Sequence, residues 1–164
     1  MDQNTVAKTP EIQAVIEARF QALKEKGFGP YGPEVRIRWW IVLFFTWLTR
    51  DRNRIHKFGR NAFFDWPIAP GLLELAFLPR LMPDWQEAFP VPGHGMMLED
   101  MSIRFARPVK IGAAIRMRRC AEEIKVDRLG LRASFKFEIT GVGETRPSVW
   151  GVMQVRFMQP KRNN

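Results

Sequence analysis

Four apolar stripes of period two fill the C-terminal half of the chain and leave few ways to fold it. Met97, Met101, Ile103 and Phe105 carry the first, in a segment that ends at RPVKIG. Ile115 and Met117 alternate with Arg116 and Arg118 in the second. Leu131, Ala133, Phe135, Phe137 and Ile139 alternate with Arg132, Ser134, Lys136, Glu138 and Thr140 in the third. Val149, Gly151, Met153, Val155 and Phe157 form the last, with Gln154 and Arg156 opposite. Successive side chains of a strand point to opposite faces, so each stripe predicts a half-buried antiparallel strand. VDRLG, Val126 to Gly130, supplies a hairpin turn between the second and third. A sheet with one apolar face needs a cover, and the N-terminal half must provide it.

From Glu11 to Lys26, Ile12, Val15, Ile16, Phe20 and Leu23 recur at helical spacing, with Pro10 before them and Gly27 after. The preceding residues 1–10 read as disordered, and GFGPYGPE, Gly27 to Glu34, as a turn-rich linker. Val35, Ile37 and Trp39 alternate with Arg36 and Arg38, which predicts a short strand. Trp40, Phe44, Trp47 and Leu48 then share one helical face, so the strand is expected to run into a buried helix ending near Thr49. Residues 50–66 read as a loop with at most a turn of helix. Pro67 to Met82 reads as a second apolar helix, in which Pro70 is tolerable only near the first turn and Pro79 predicts a late kink or an early stop. Pro83 to Gly95 reads as loop. The expected class is α+β, an apolar helix against one antiparallel sheet.

With 164 residues, 46% of them hydrophobic, the chain suits one domain with a core that needs no staples. Cys120 is the only cysteine, which excludes an internal disulfide and favours a reducing compartment. No Cys or His cluster has zinc-ligand spacing, so no metal is expected. MDQNTVAKTPEIQ lacks the apolar core of a signal peptide. The longest apolar run, Trp39 to Trp47, falls far short of the ~18 residues of a membrane span. A cytoplasmic protein without a membrane segment is expected. The net charge of +9 fits a nucleic acid or an anionic small molecule. A nucleic-acid surface would interleave aromatics among Arg116, Arg118, Arg132, Lys136 and Arg156, but these fall mostly on the other face. The basic face is therefore read as a solvated exterior, and nucleic acid is not expected as a partner.

Few side chains can carry protons. His94, in VPGHGMM, reads as a loop histidine. LTRDRNRIH, Leu48 to His56, closes the first apolar run with Asp51 five positions before His56. On the residues alone this is either a helix-end charge cluster, with Asp51 paired to Arg50, Arg52 or Arg54, or an acid–base pair turned toward one cavity. WPIAPGLLELAF places Gly71 at a helix start, where free amides can hold an oxyanion and glycine lets a carbonyl approach. A plain buried helix start explains it equally.

Three segments together resemble the MaoC-like acyl dehydratases, the family of (R)-specific enoyl-CoA hydratases. FTWLTRDRNRIH, Phe45 to His56, is similar to the family's F-x-x-L-T-G-D-x-N-P-x-H. WPIAPGLL, Trp66 to Leu73, is similar to R-P-I-A-H-G-M-L, and FARPVKIGA, Phe105 to Ala113, to F-x-x-P-V-x-x-G-D. The blocks stand in the family's order and cover roughly residues 35–158. The resemblance implies a hot-dog fold, a curved antiparallel sheet wrapped around a long apolar helix. It implies one such domain over 35–160, after an N-terminal tail, helix and linker over 1–34 and before a basic tail over 161–164. It implies Asp51 and His56 as the catalytic pair, Asn53 as a loop-shaping residue, and Gly71 as the amide that binds the thioester oxygen. Phe63, Phe64 and Trp66 are candidate walls of an acyl tunnel.

The implied reaction interconverts trans-2-enoyl and 3-hydroxyacyl thioesters. Coenzyme A (CoA) or carrier-protein pantetheine enters as part of the substrate, with no separate cofactor. A homodimer or dimer of dimers is implied. A hot-dog acyl-CoA thioesterase and a non-catalytic acyl-thioester-binding or assembly protein are the alternatives. The chain departs from the pattern at Arg50, where the family has glycine, at Arg54, where it has proline, and at Pro70, where it has histidine. Pro79 falls near a position where some members carry serine. An Asp51 tied to an arginine would be a poorer base.

Overall fold

The computed structural model describes residues 10–57, 64–82, 95–127 and 130–158. His94, Phe63, the disorder expected for the first nine residues and the basic tail over 161–164 lie outside them. The chain order is α1 (Pro10–Glu25), β1 (Val35–Arg36), α2 (Trp39–Leu48), a 3₁₀ turn (Arg54–His56), α3 (Gly71–Ala76), α4 (Leu78–Leu81), β2 (Gly95–Phe105), β3 (Ala114–Asp127), β4 (Gly130–Gly141) and β5 (Val149–Met158). The five strands form one antiparallel sheet in the order β1-β3-β4-β5-β2, curled into a half-barrel.

The second, third and fourth stripes become the inner face of that sheet. In the first, Met101 and Ile103 pack against the core, but the bulge at Glu99 turns Met97 out beside Arg156, and Phe105 is exposed at the end of the strand. Ile115, Met117, Ala133, Phe135, Phe137, Ile139, Val149, Met153 and Val155 are buried, and Leu73, Leu78 and Leu81 of the helices pack into the same core. Gly151 sits in the last stripe for a steric reason. A Cβ there would stand 2.0 Å from the Ser102 carbonyl oxygen on β2, so any side chain would push the two strands apart. The core also reaches the N-terminal segment, where Phe20 of α1 is buried against Phe135 with ring centroids 5.6 Å apart.

Three expectations change. The sheet does not wrap a long helix. Residues 67–69 are extended and pair with 109–111 through Ala69 N–H to Val109 O (2.8 Å) and Ile111 N–H to Pro67 O (3.1 Å), so the helix starts only at Gly71. Phe77 then ends α3, and Pro79 stands in the first turn of α4, the break that its ring and missing N–H enforce. Second, α2 is not buried. Val42 and Thr46 are its only buried residues, while Trp40 is 62% and Trp47 72% exposed. A run that is apolar on every side contains no information about which side faces the core.

Third, the basic outer face is ion-paired rather than merely solvated. Two β-bulges each insert a glutamate against it. Glu99, at the irregularity in β2, joins Arg132 (2.6 Å) and the buried Arg156, which face each other across β4 and β5. Glu122, at the irregularity in β3, lies 2.8 Å from Lys136. Glu138 pairs with Arg118 at 2.7 Å. The linker covers more of this face. It is held by Gly29 N–H to Arg119 O (2.9 Å) and Gly32 N–H to Met117 O (2.7 Å), and the Tyr31 ring lies 4.0 Å from the Arg116 guanidinium.

Candidate active site

The loop after α2 is built by a helix-ending motif. Arg50 N–H donates to Trp47 O (3.2 Å) and Asp51 N–H to Thr46 O (2.8 Å), the paired bonds of a Schellman cap. That cap requires a left-handed residue after Thr49, and Arg50 has φ 54°, the one non-glycine residue with positive φ among those described. Glycine would adopt it without the steric cost an arginine bears. The cap holds Asp51 at the start of the loop. Asp51 Oδ1 then accepts from Asn53 N–H (2.8 Å), and Asn53 Oδ1 accepts from Ile55 N–H (3.3 Å), starting the 3₁₀ turn that carries His56. Arg54 is the first residue of that turn and follows the extended Asn53 (φ −65°, ψ 119°), a place where proline also fits.

His56 is buried at the end of this turn. Its Nδ1 lies 2.8 Å from the Ile68 carbonyl oxygen. A carbonyl can only accept, so Nδ1 carries the proton and neutral His56 presents a bare Nε2. Asp51 Oδ2 stands 3.6 Å from Nε2. In the neutral ring, two acceptors at that separation do not bond to each other and leave a lone pair each for a donor placed between them. Among the described residues Asp51 is seen in no ion pair with Arg50, Arg52 or Arg54; its Oδ1 is held by Asn53 N–H and its Oδ2 faces His56.

His56 and Gly71 line one open cleft of about 350 Å³, walled by Ile68, Ala69, Leu72, Phe105 and Arg107. Ile68 N–H donates to Ile55 O (3.1 Å), tying the loop that carries Asp51 and His56 to the segment before α3. A Cβ on Gly71 would come within 2.6 Å of the Phe105 ring, so this position has room for glycine and little else unless that ring moves. Phe64 and Trp66 do not line the cleft. Trp66 lies under Lys110, with Nζ 5.4 Å from its ring, and Phe105 is the aromatic at the wall.

The sequence reading passed over Glu74. It lies in the same cleft wall, one turn into α3 from Gly71, and is 2% exposed. Ser148, just before β5, is 2.6 Å from its Oε2. Burial pushes the Glu74 carboxyl up to about 7, and the Ser148 hydrogen bond offsets only part of that rise. The signal was present: Glu74 is the single charge in GLLELAF, on a helix whose other side chains are apolar.

No family model matches the chain, and no curated protein does. Solved structures do. The ChsH1–ChsH2 complex from Mycobacterium tuberculosis matches with TM-score 0.71 and 14% identity over 92% of this chain and 99% of that one. The (R)-hydratase from A. caviae involved in PHA biosynthesis matches with TM-score 0.60 and 21% identity over 80% and 98%. A MaoC-like dehydratase from Rhodospirillum rubrum matches with TM-score 0.62 and 14% identity over 80% and 91%. At these identities the likeness carries the fold: the chain is a hot-dog protein whose structural neighbours are MaoC-like dehydratases and (R)-hydratases. The matched structures also include a proposed thioesterase and heteromeric complexes of hot-dog chains.

Proposed function

We propose that the chain is an acyl-thioester hydratase/dehydratase that interconverts trans-2-enoyl and 3-hydroxyacyl thioesters of CoA or a carrier protein. The observation that carries this is the pairing of Asp51 Oδ2 with the bare Nε2 of His56, 3.6 Å apart, beside the cleft that Gly71 lines. One water can donate a hydrogen to each acceptor, which aims its lone pair at the substrate. Its oxygen forms the new C–O bond at C3 while a proton passes to the Asp51–His56 pair. Electron density moves onto the thioester oxygen, where the Gly71 N–H donates a hydrogen bond. The pair then returns a proton to C2, and the reverse sequence expels water. The net charge of +9, with exposed Arg107 at the cleft wall, favours an anionic carrier.

The working unit we propose is a homodimer or dimer of dimers, supported by the exposed apolar side of α2 and by the edge strand β2, on which Met97 and Leu98 are exposed. No helix among the described residues is long and apolar enough to cross a membrane; with the single cysteine, this supports a cytoplasmic site of action.

Crotonyl-CoA tests the reaction. Its enoyl-thioester absorbance should fall on adding the protein, and Asp51→Asn or His56→Ala should slow that fall at least ~100-fold. Full activity in either variant removes these roles. A second reading, thioester hydrolysis, is favoured by Glu74, a carboxyl in the same cleft as Gly71. It predicts free thiol from acyl-CoA esters, read with a thiol reagent, and loss of that release in Glu74→Gln.

A further inference from the structure

The protons around Glu74 can be counted. Ser148 Oγ carries one hydrogen and lies within hydrogen-bond distance of two oxygens, Glu74 Oε2 at 2.6 Å and the Ile139 carbonyl at 3.1 Å. The Ile139 carbonyl only accepts. An ionised Glu74 would also only accept, leaving two acceptors for one proton where both side chains are buried. A protonated Glu74 fills both contacts: Glu74 O–H donates to Ser148 Oγ, and Ser148 O–H donates to Ile139 O. The carboxyl's elevated proton affinity, set by burial, agrees with that count.

This leaves Oε1. It has no hydrogen-bond partner among the described residues, and Glu74 belongs to the wall of the cleft. With its proton committed to Ser148, the neutral carboxyl offers the cleft an acceptor and no donor. A plain hydrocarbon chain packed there would strip water from Oε1 and give nothing back. An acyl group carrying a hydroxyl would supply the missing donor.

We propose that neutral Glu74 is a specificity-determining residue, whose Oε1 accepts a hydrogen bond from a hydroxyl on the acyl group, so that the cleft selects hydroxyacyl thioesters over unsubstituted ones. This rests on the acyl-thioester reading of the site. Ser148 is the positioning residue that fixes the carboxyl's proton and orientation.

The test is equilibrium binding of 4-hydroxybutyryl-CoA and butyryl-CoA, measured calorimetrically in the Asp51→Asn background; a hydroxyl at C3 would fall to the Asp51–His56 pair, so the probe carries it at C4. The hydroxy ester should bind about tenfold more tightly, the worth of one neutral hydrogen bond. Glu74→Gln should keep that preference, because the amide can donate to Ser148 and still accept through its oxygen. Glu74→Leu should abolish it. Infrared difference spectra between the wild type and Glu74→Gln should show a protonated carboxylic C=O band below neutral pH. Equal binding of the two esters, a preference that survives Glu74→Leu or is lost in Glu74→Gln, or absence of that band overturns the inference. Equal binding leaves the acyl-thioester reading standing; failure of both esters to bind removes the two together.

Discussion

Two neighbouring helices invert the usual relation between polarity and burial. WWIVLFFTWL, the whole of α2, has no charged residue, yet Trp47 is 72% exposed. GLLELA, the whole of α3, carries a glutamate that is 2% exposed. The difference lies in what each helix meets. The half-barrel encloses the inward side of α3 and α4, where Leu73, Glu74, Leu78 and Leu81 are buried, while Leu72 on the other side is 61% exposed. α2 lies at the margin of the core: Val42 and Thr46 are buried, Ile41 and Phe45 partly so, and no described segment covers the rest. Hydropathy ranks which residues prefer the interior. It does not decide how much interior each element is given.

The comparison can be broken by measurement, beginning with the largest effect. Leu73→Ala on α3, at 3% exposure, should cost about 2–5 kcal/mol by denaturant unfolding, because it opens a cavity in a closed core. A cost under about 1 kcal/mol would mean that α3 is not enclosed.

Glu74 gives a pH signature nearly as large. Its folded-state value of about 7 lies above the ordinary 4.5, so between those values the native state holds a proton that the unfolded state has lost. Stability from this group is therefore full at acid pH and declines as pH rises toward neutrality, by roughly 3 kcal/mol in total. Glu74→Gln should flatten that part of the pH–stability curve and be the more stable form above neutral pH. A curve unchanged by the substitution would mean that the carboxyl ionises freely in the fold.

Arg50→Gly comes next. It relieves the left-handed φ of 54° at the end of α2 and should stabilise the fold by ~1 kcal/mol with turnover retained. Destabilisation would show that the arginine side chain contributes something the backbone argument omits. The smallest effect is expected for Leu48→Ala on α2, at 62% exposure, less than about 0.5 kcal/mol when measured on the monomer. A cost matching that of Leu73→Ala would show that this side of α2 is covered in solution.

The candidate site was legible in unequal parts. The separation of Asp51 and His56 fits a cap followed by one 3₁₀ turn, and that local geometry brings the two side chains together. Arg50 and Arg54, which stand where the resembled family has glycine and proline, still take their places in the cap and the turn, because the Schellman bonds run through backbone groups and the turn start is held by the Asp51 and Asn53 side chains. The Ile68 carbonyl that sets the His56 tautomer, the Phe105 wall and Ser148 come from other parts of the chain, where no local pattern announces them. Phe63, Phe64 and Trp66 were expected to wall the site from their nearness to Gly71 in sequence; Phe63 lies outside the described residues, and the aromatic that lines the cleft is Phe105, from the sheet edge.

The sequence by itself determined the strands and, apart from Met97 beyond the β2 bulge, their inward faces, together with the break at Pro79, because each depends on interactions within a few residues. Only the tertiary structure decided that α2 stays outside, that bulged Glu99 and Glu122 pair with Arg132, Arg156 and Lys136 on the basic face, and that Glu74 is enclosed with Ser148. Those outcomes depend on which surfaces meet across the whole chain, and the free energy of burying a group belongs to the meeting rather than to the residue.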